Sequence, residues 1–225
     1  MARCSAFLEE NPEMKRGHWR TDGRPLLLEI GCGKGSFTCE LAGTEQDCDV
    51  LAIEKVPDAM ILAMERAQAA ELRNVKFMDF NAENLGEVFA PGEIDRIYIN
   101  FCDPWPKSRD AKFRLTAPAF LRSYADILKE NGEIRFKTDN LPLFDWSVEQ
   151  FRSEGWELRE LTRNLHENGV KGILTDYERK FMQEGIPIKS LTAVKGNDTR
   201  NRSDGIPPRL RDASLADAYA NREEK

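Results

Sequence analysis

Histidine is almost missing from this chain: His18 and His166 are the two in 225 residues. That removes His-rich metal centres and imidazole relays from the available chemistries. The five cysteines, Cys4, Cys32, Cys39, Cys48 and Cys102, are odd in number and contain no C-x-x-C pair. They argue against a disulfide framework and against a Cys-rich zinc site, so the sequence offers no metal-ligand set, and a reducing cytoplasm suits the thiols. Long apolar runs are also lacking. Stretches such as Leu26 to Ile30 fall far short of the ~20 residues of a membrane span, so no membrane association is expected. Glu9 and Glu10 come before any stretch of signal-peptide character, which speaks against export. Excess positive charge is missing too: 33 Lys and Arg against 39 Asp and Glu give a net charge of −6. A nucleic-acid site, if there is one, must be a local patch.

What is present is enough for a folded core: 40% hydrophobic residues, 9% aromatic and 32% charged, the balance of a soluble globular domain. Short β-rich runs at 26–30, 50–53, 75–78, 94–99 and 133–136 alternate with helical-period segments at 35–42, 57–70, 118–129 and 143–153. This alternation predicts an α/β fold, a doubly wound, mostly parallel sheet with helices on both faces. Pro57 and Pro118 suit helix starts, and Asn131-Gly132 reads as a helix stop. Two further runs, 156–161 and 186–194 around a helical stretch at 175–184, bring the expected strands to seven and close the sheet with an antiparallel edge. Residues 1–23 read as a loosely attached arm and 24–195 as one domain. Residues 196–225 read as a polar tail of disordered composition, with a short helix at 213–221.

The first chemical motif follows the first strand, where Gly31-Cys32-Gly33-Lys34-Gly35 leads into a helix. Glycines here let a ligand approach the backbone at the carboxyl end of a strand, where doubly wound folds bind nucleotides. The spacing is G-x-G-x-G and Lys34 precedes Gly35, which is neither a dinucleotide fingerprint nor a Walker A loop. Glu29, just ahead of the glycines, would repel a pyrophosphate and hold a cationic amino acid group. Glu54 ends the second strand, where a carboxylate accepts ribose hydroxyls, and Asn81 follows the third, where a loop meets the adenine. A ribose and a cationic amino acid end together describe S-adenosylmethionine.

The second motif, Asn100-Phe101-Cys102-Asp103-Pro104-Trp105-Pro106, follows the fourth strand. Its prolines stiffen the turn and set Asp103 beside Trp105, which reads as an exposed plane for a base. Lys107, Arg109, Lys112 and Arg114 come next with Asp110 as their one acid, a basic patch suited to phosphates.

Together with Phe136-Lys137-Thr138-Asp139-Asn140 and Leu174 to Phe181, these segments resemble the bacterial single-subunit tRNA (guanine-N7)-methyltransferases, in family order from about 26 to 190. The family's basic run is richer in His and Arg, and the tail after Gly196 has no counterpart in it. The resemblance implies a Rossmann-like class I S-adenosylmethionine-dependent fold. It also implies transfer of methyl to N7 of a variable-loop guanosine at tRNA position 46. On the same basis Glu29, Gly31, Gly33, Glu54, Asn81 and Asp103 would bind cofactor, with Asp103 also the catalytic group. Lys107, Asp139, Thr175, Asp176, Tyr177 and Glu178 would hold the guanosine, Asp139 or Glu178 accepting from its N1–H and exocyclic amine. Arg109, Lys112 and Arg114 would contact RNA.

Guanine N7 carries a lone pair and no proton, so its alkylation needs no general base, and a histidine-poor chain suffices. An RNA methyltransferase acting on an exocyclic amine is the alternative, because Asp-Pro-Trp resembles the Asp-Pro-Pro-aromatic turn of such enzymes. A nicotinamide-dependent dehydrogenase is disfavoured by Glu29 and the glycine spacing, and a non-catalytic RNA-binding module by the acidic pair Glu29 and Glu54. Monomer and homodimer both stay open.

Overall fold

The computed structural model describes residues 4–20 and 22–196, and the expected helix at 213–221 lies outside them. Seven strands, β1 (Leu26–Ile30), β2 (Asp49–Ile53), β3 (Val75–Met78), β4 (Ile94–Asn100), β5 (Leu128–Thr138), β6 (Glu157–Thr162) and β7 (Lys189–Val194), form one sheet in the order β3-β2-β1-β4-β5-β7-β6. β1 to β5 are parallel, and β7 runs antiparallel to both of its neighbours. The antiparallel strand is therefore one place in from the edge, which β6 forms.

β1 is buried at every position, as a strand covered on both faces requires. Its side chains divide by alternation. Leu27 faces α1 (Ser36–Thr44) and α2 (Pro57–Ala69) with Val50, Ala52, Phe77 and Met64. Leu26, Leu28 and Ile30 face α3 (Leu85–Val88), α4 (Pro118–Ile127) and α5 (Leu141–Ser153) with Ile97, Phe136 and Phe144. Each fully buried Leu, Ile or Phe contributes about 1.5–3 kcal/mol over its exposed state, and these two layers are where the stability sits.

Two expectations are corrected. The helix expected over 118–129 stops at Ile127, because Leu128 turns to an extended backbone, is fully buried and pairs with Ile94. Asn131-Gly132 is therefore no helix stop. The register runs from Ile94–Leu128 directly to Arg96–Glu133, and the surplus residues of β5 loop out with Asn131 at φ +59°. The N-terminal segment is not loose where it is described. Leu8 bridges Phe77 on the open edge of β3, and Glu9 N–H donates to the Phe77 carbonyl. Further on, the Glu93 carboxylate accepts from Gly17 and Trp19 N–H groups, and Arg20 pairs with Asp95.

Candidate active site

A cleft of about 600 Å³ opens at the carboxyl ends of β1, β2 and β4, beside the point where the winding reverses between β1 and β4. Doubly wound folds bind ligands there. Gly33 sits at φ +54° with no protein atom near the position of an added Cβ, so its backbone is open to a ligand. Gly35 answers a different need: a Cβ there would lie 2.5 Å from the Ala63 Cβ, so this glycine lets α1 approach α2. Glu54 spans the same turn. Its Oε2 accepts from Gly33 N–H at 2.7 Å, and its Oε1 accepts from Lys55 and Val56 N–H at 2.8 and 2.9 Å. Asn81 lines the cleft on the far side and caps the 3-10 turn Ala82–Asn84 through Glu83 N–H.

Glu29 is 2% exposed. Thr38 Oγ1 donates to one carboxylate oxygen, and Asn100 Nδ2 donates to the other at 3.0 Å. Burial pushes its pKa from an ordinary 4.5 to about 7; the charge of Glu54 adds to the rise, while both hydrogen bonds and Lys137 oppose it. Among the described residues Asn100 Oδ1 is buried with no hydrogen-bond partner. A buried acceptor without a donor, next to a carboxylate short of positive charge, fits the α-ammonium of S-adenosylmethionine. Asn100 is a site residue that the sequence reading passed over. The available signal was a polar residue at the carboxyl end of a central strand, directly after Ile97-Tyr98-Ile99.

Asp103 reaches the cleft from the turn after β4. Phe101 at φ +53° and Trp105 at φ +41° hold left-handed conformations on either side of it, which non-glycine residues adopt only when their surroundings impose it. Phe101 N–H donates to the Lys137 carbonyl at 2.9 Å, and the Arg114 guanidinium donates to the carbonyls of Pro104 and Trp105 at 3.0 and 2.9 Å. Trp105 is 7% exposed and packs on Phe113 at 5.3 Å, so it is not the exposed plane expected for a base. Arg114 is likewise no phosphate contact: its guanidinium is spent on the turn and lies 4.4 Å over the Trp146 ring. The Cys102 thiol, pushed up to about 12 by burial and then by the Asp103 charge, stays protonated.

Thr175, Asp176 and Tyr177, at the start of α6 (Asp176–Gln183), complete the wall of the cleft. Glu178 does not belong with them. It is fully buried, with Lys137 Nζ at 3.0 and 3.2 Å, His166 Nε2 at 2.8 Å and Thr175 N–H at 3.1 Å on its oxygens. A carboxylate so occupied anchors α6 rather than accepting from guanine. Asp139, half-buried after β5, is not among the cleft-lining residues, and its carbonyl accepts from Lys189 Nζ. Lys107, expected to hold the guanosine, is exposed just before the 3-10 turn Ser108–Phe113 and is not among the cleft-lining residues, while Arg109 and Lys112 are exposed on that turn, with Asp110 3.8 Å from Arg109.

This sheet and cleft define the class: a Rossmann-like, class I S-adenosylmethionine-dependent methyltransferase. Solved structures share the fold. They include the 16S rRNA methyltransferase KamB, with a TM-score of 0.60 at 17% identity over 81% of this chain and 91% of that one. Another is the precorrin-6y C5,15-methyltransferase of Geobacter metallireducens GS-15, at 0.54 and 16% over 77% and 81%. A family model described as "Putative methyltransferase" matches residues 23–191. The protein named tRNA (guanine-N(7)-)-methyltransferase of Lachnoclostridium phytofermentans is 42% identical over 84% of this chain and 91% of its own length. Its namesake in Geobacillus kaustophilus is 41% identical over 87% and 92%. The chain belongs to the tRNA (guanine-N7)-methyltransferase family.

Proposed function

We propose that this protein methylates N7 of a guanosine in the variable loop of tRNA, at position 46, giving 7-methylguanosine in the cytoplasm. Bound S-adenosylmethionine supplies a methyl group made electrophilic by its sulfonium. Glu29 and Asn100 hold the ammonium end, the glycine turn at Gly31 and Gly33 leaves room for the cofactor, Glu54 takes the ribose hydroxyls and Asn81 meets the adenine. Asp103 sits where positive charge passes to the purine, and a fixed carboxylate there lowers the barrier as that charge develops. Positioning does the remaining work, and a well-aligned reactant pair can be worth ~7–11 kcal/mol. Thr175 and Asp176 border the guanosine, and Lys107, Arg109 and Lys112 meet the RNA backbone outside the cleft.

The observation that carries this reading is the acid array around one cleft, Glu29 and Glu54 at the cofactor end and Asp103 on a rigid turn. Among the described residues the cleft lining holds no histidine: His166 is committed to Glu178, and its Nδ1 accepts from Lys171 N–H. Alkylation of N7 asks for none. Incubation with unmodified tRNA and methyl-labelled cofactor, followed by nucleoside analysis, tests it. Label in 7-methylguanosine supports the reading, and label in an N-methylated exocyclic amine overturns it.

A further inference from the structure

Lys137, at the end of β5, is not among the cleft-lining residues, yet it reaches several parts of the site. Its carbonyl accepts from Phe101 N–H at 2.9 Å and so holds the turn that carries Asp103. Its Nζ donates to the Ile173 carbonyl at 3.0 Å and to the two Glu178 oxygens at 3.0 and 3.2 Å, which fixes α6 and the segment before it. The same ammonium lies 5.9 Å from the centre of the Phe37 ring in α1. Glu29 feels it as well: burial is the main cause that raises that carboxyl, and the Lys137 charge is among the influences that oppose the rise. One cation thus acts on two buried carboxylates, Glu178 behind the substrate wall and Glu29 at the cofactor end.

We propose that Lys137 is a positioning residue that couples the two ligands: when the cofactor's ammonium occupies Glu29, Lys137 commits to Glu178 and fixes α6 for tRNA. This rests on the function proposed above. Between buried groups, charge acts with little screening by water or salt. With the cofactor site empty, the lysine answers to both carboxylates. An ammonium at Glu29 neutralises one of them and repels the lysine toward the other. His166 Nε2 and Thr175 N–H hold Glu178 from other directions, so the flexible lysine is the member that adjusts. Thr175 caps α6, Asp176 and Tyr177 begin it, and all three line the cleft. A wall ordered before RNA arrives binds it at a lower entropic cost. By linkage, bound tRNA must tighten the cofactor by the same factor.

Nucleoside analysis of the wild-type product comes first; a wild type that makes no 7-methylguanosine removes the proposed function itself. With an active wild type, filter binding measures tRNA affinity for the protein alone and with saturating S-adenosylhomocysteine, which keeps the ammonium. A third arm uses saturating methylthioadenosine, which lacks the amino acid end. S-adenosylhomocysteine tightens tRNA binding about fivefold or more, within the usual range of coupling between sites, and methylthioadenosine changes it less than twofold. Calorimetry finds the same factor for the effect of tRNA on S-adenosylhomocysteine. Lys137→Met combined with Glu178→Gln removes the ion pair without leaving a buried charge unpaired, and in it the factor falls below twofold. Lys137→Arg keeps a cation and with it the coupling. A purely structural Lys137 would lower both affinities and leave the factor unchanged. Should the double variant not fold, the two nucleosides still decide the matter on wild type. Wild-type tRNA affinity within twofold with and without S-adenosylhomocysteine, equal tightening by both nucleosides, or coupling retained in the folded double variant overturns the inference.

Discussion

Asn100 Nδ2 donates to Glu29 Oε1 at 3.0 Å, tying the ends of β4 and β1 together across the switch point of the sheet. The bond holds a carboxylate that burial has driven to a pKa of about 7. A group raised in this way holds its proton in the folded state after the unfolded chain has released it. Its contribution to stability is full below the unfolded value of 4.5 and is lost as pH rises through about 7. The loss amounts to about 3 kcal/mol at most. Urea unfolding of the ligand-free protein should therefore show Glu29→Gln gaining on wild type between pH 5 and pH 8, while its affinity for S-adenosylmethionine falls at least tenfold. A stability difference that does not change with pH would contradict the assignment.

The two glycines after β1 should separate fold from function. Gly35→Ala drives a Cβ to 2.5 Å from the Ala63 Cβ and 2.9 Å from its Cα, at a φ of +71° that adds strain. An overpacked contact of this kind costs ~1–3 kcal/mol, visible as a lowered urea midpoint. Gly33→Ala meets no protein atom, and a Cβ at φ +54° costs only the left-handed backbone strain of ~1–2 kcal/mol, so it should lose less stability than Gly35→Ala while losing cofactor affinity, measured by calorimetry.

Asp103 should matter to turnover and little to folding. Its turn is held from outside by Arg114 and by Phe101 N–H, so Asp103→Asn leaves the scaffold in place. Removing a preorganised electrostatic group costs ~10²–10³ in kcat. Single-turnover rates at saturating cofactor check this, with circular dichroism and the melting temperature as the folding control.

The parts of the molecule that were readable from the chain are those governed by local rules. Short β-rich runs placed the strands, the helical period placed the long helices, and acids at strand ends marked the cleft through Glu29 and Glu54. What escaped depends on long-range neighbours. Trp105 and Arg114 look functional beside Asp103, yet a Trp146 ring 32 residues further on and the turn's own carbonyls absorb the arginine. Asn131-Gly132 has the composition of a helix stop, but the burial of Leu128 against β4 outweighs it. Locally Glu178 reads as the third residue of a capping box with Thr175, an ordinary exposed position, and only Lys137, 41 residues earlier, closes on it as a buried ion pair.

That closure predicts a stability effect. Glu178 is fully buried and holds Lys137, His166 and Thr175 N–H together. Removing one member of a buried ion pair leaves its partner uncompensated and typically costs ~3–5 kcal/mol. Glu178→Ala should lower the urea midpoint strongly, and Lys137→Met in the same background should recover part of the loss. A Glu178→Ala protein of wild-type stability with only a raised KM for tRNA would instead make Glu178 a direct guanosine contact.

The basic residues after Asp103 divide in the same way between outside and inside. Arg109 and Lys112 are exposed and Arg114 is bound to the turn, so the proposed phosphate contacts and the turn's own support can be separated by mutation. Each phosphate contact releases condensed counterions, and losing one reduces the slope of log affinity against log salt by about 0.7–1. Arg109→Ala and Lys112→Ala should each weaken tRNA binding and flatten that slope by about this amount, with kcat kept at saturating tRNA. Arg114→Ala should leave the slope unchanged and lower kcat, because the carbonyls of Pro104 and Trp105 lose their donor and Asp103 loses its fixed position. Filter-binding titrations from low to high salt, run beside saturating kinetics, read both quantities, and an Arg114→Ala slope shifted as far as that of Lys112→Ala would return Arg114 to the RNA surface.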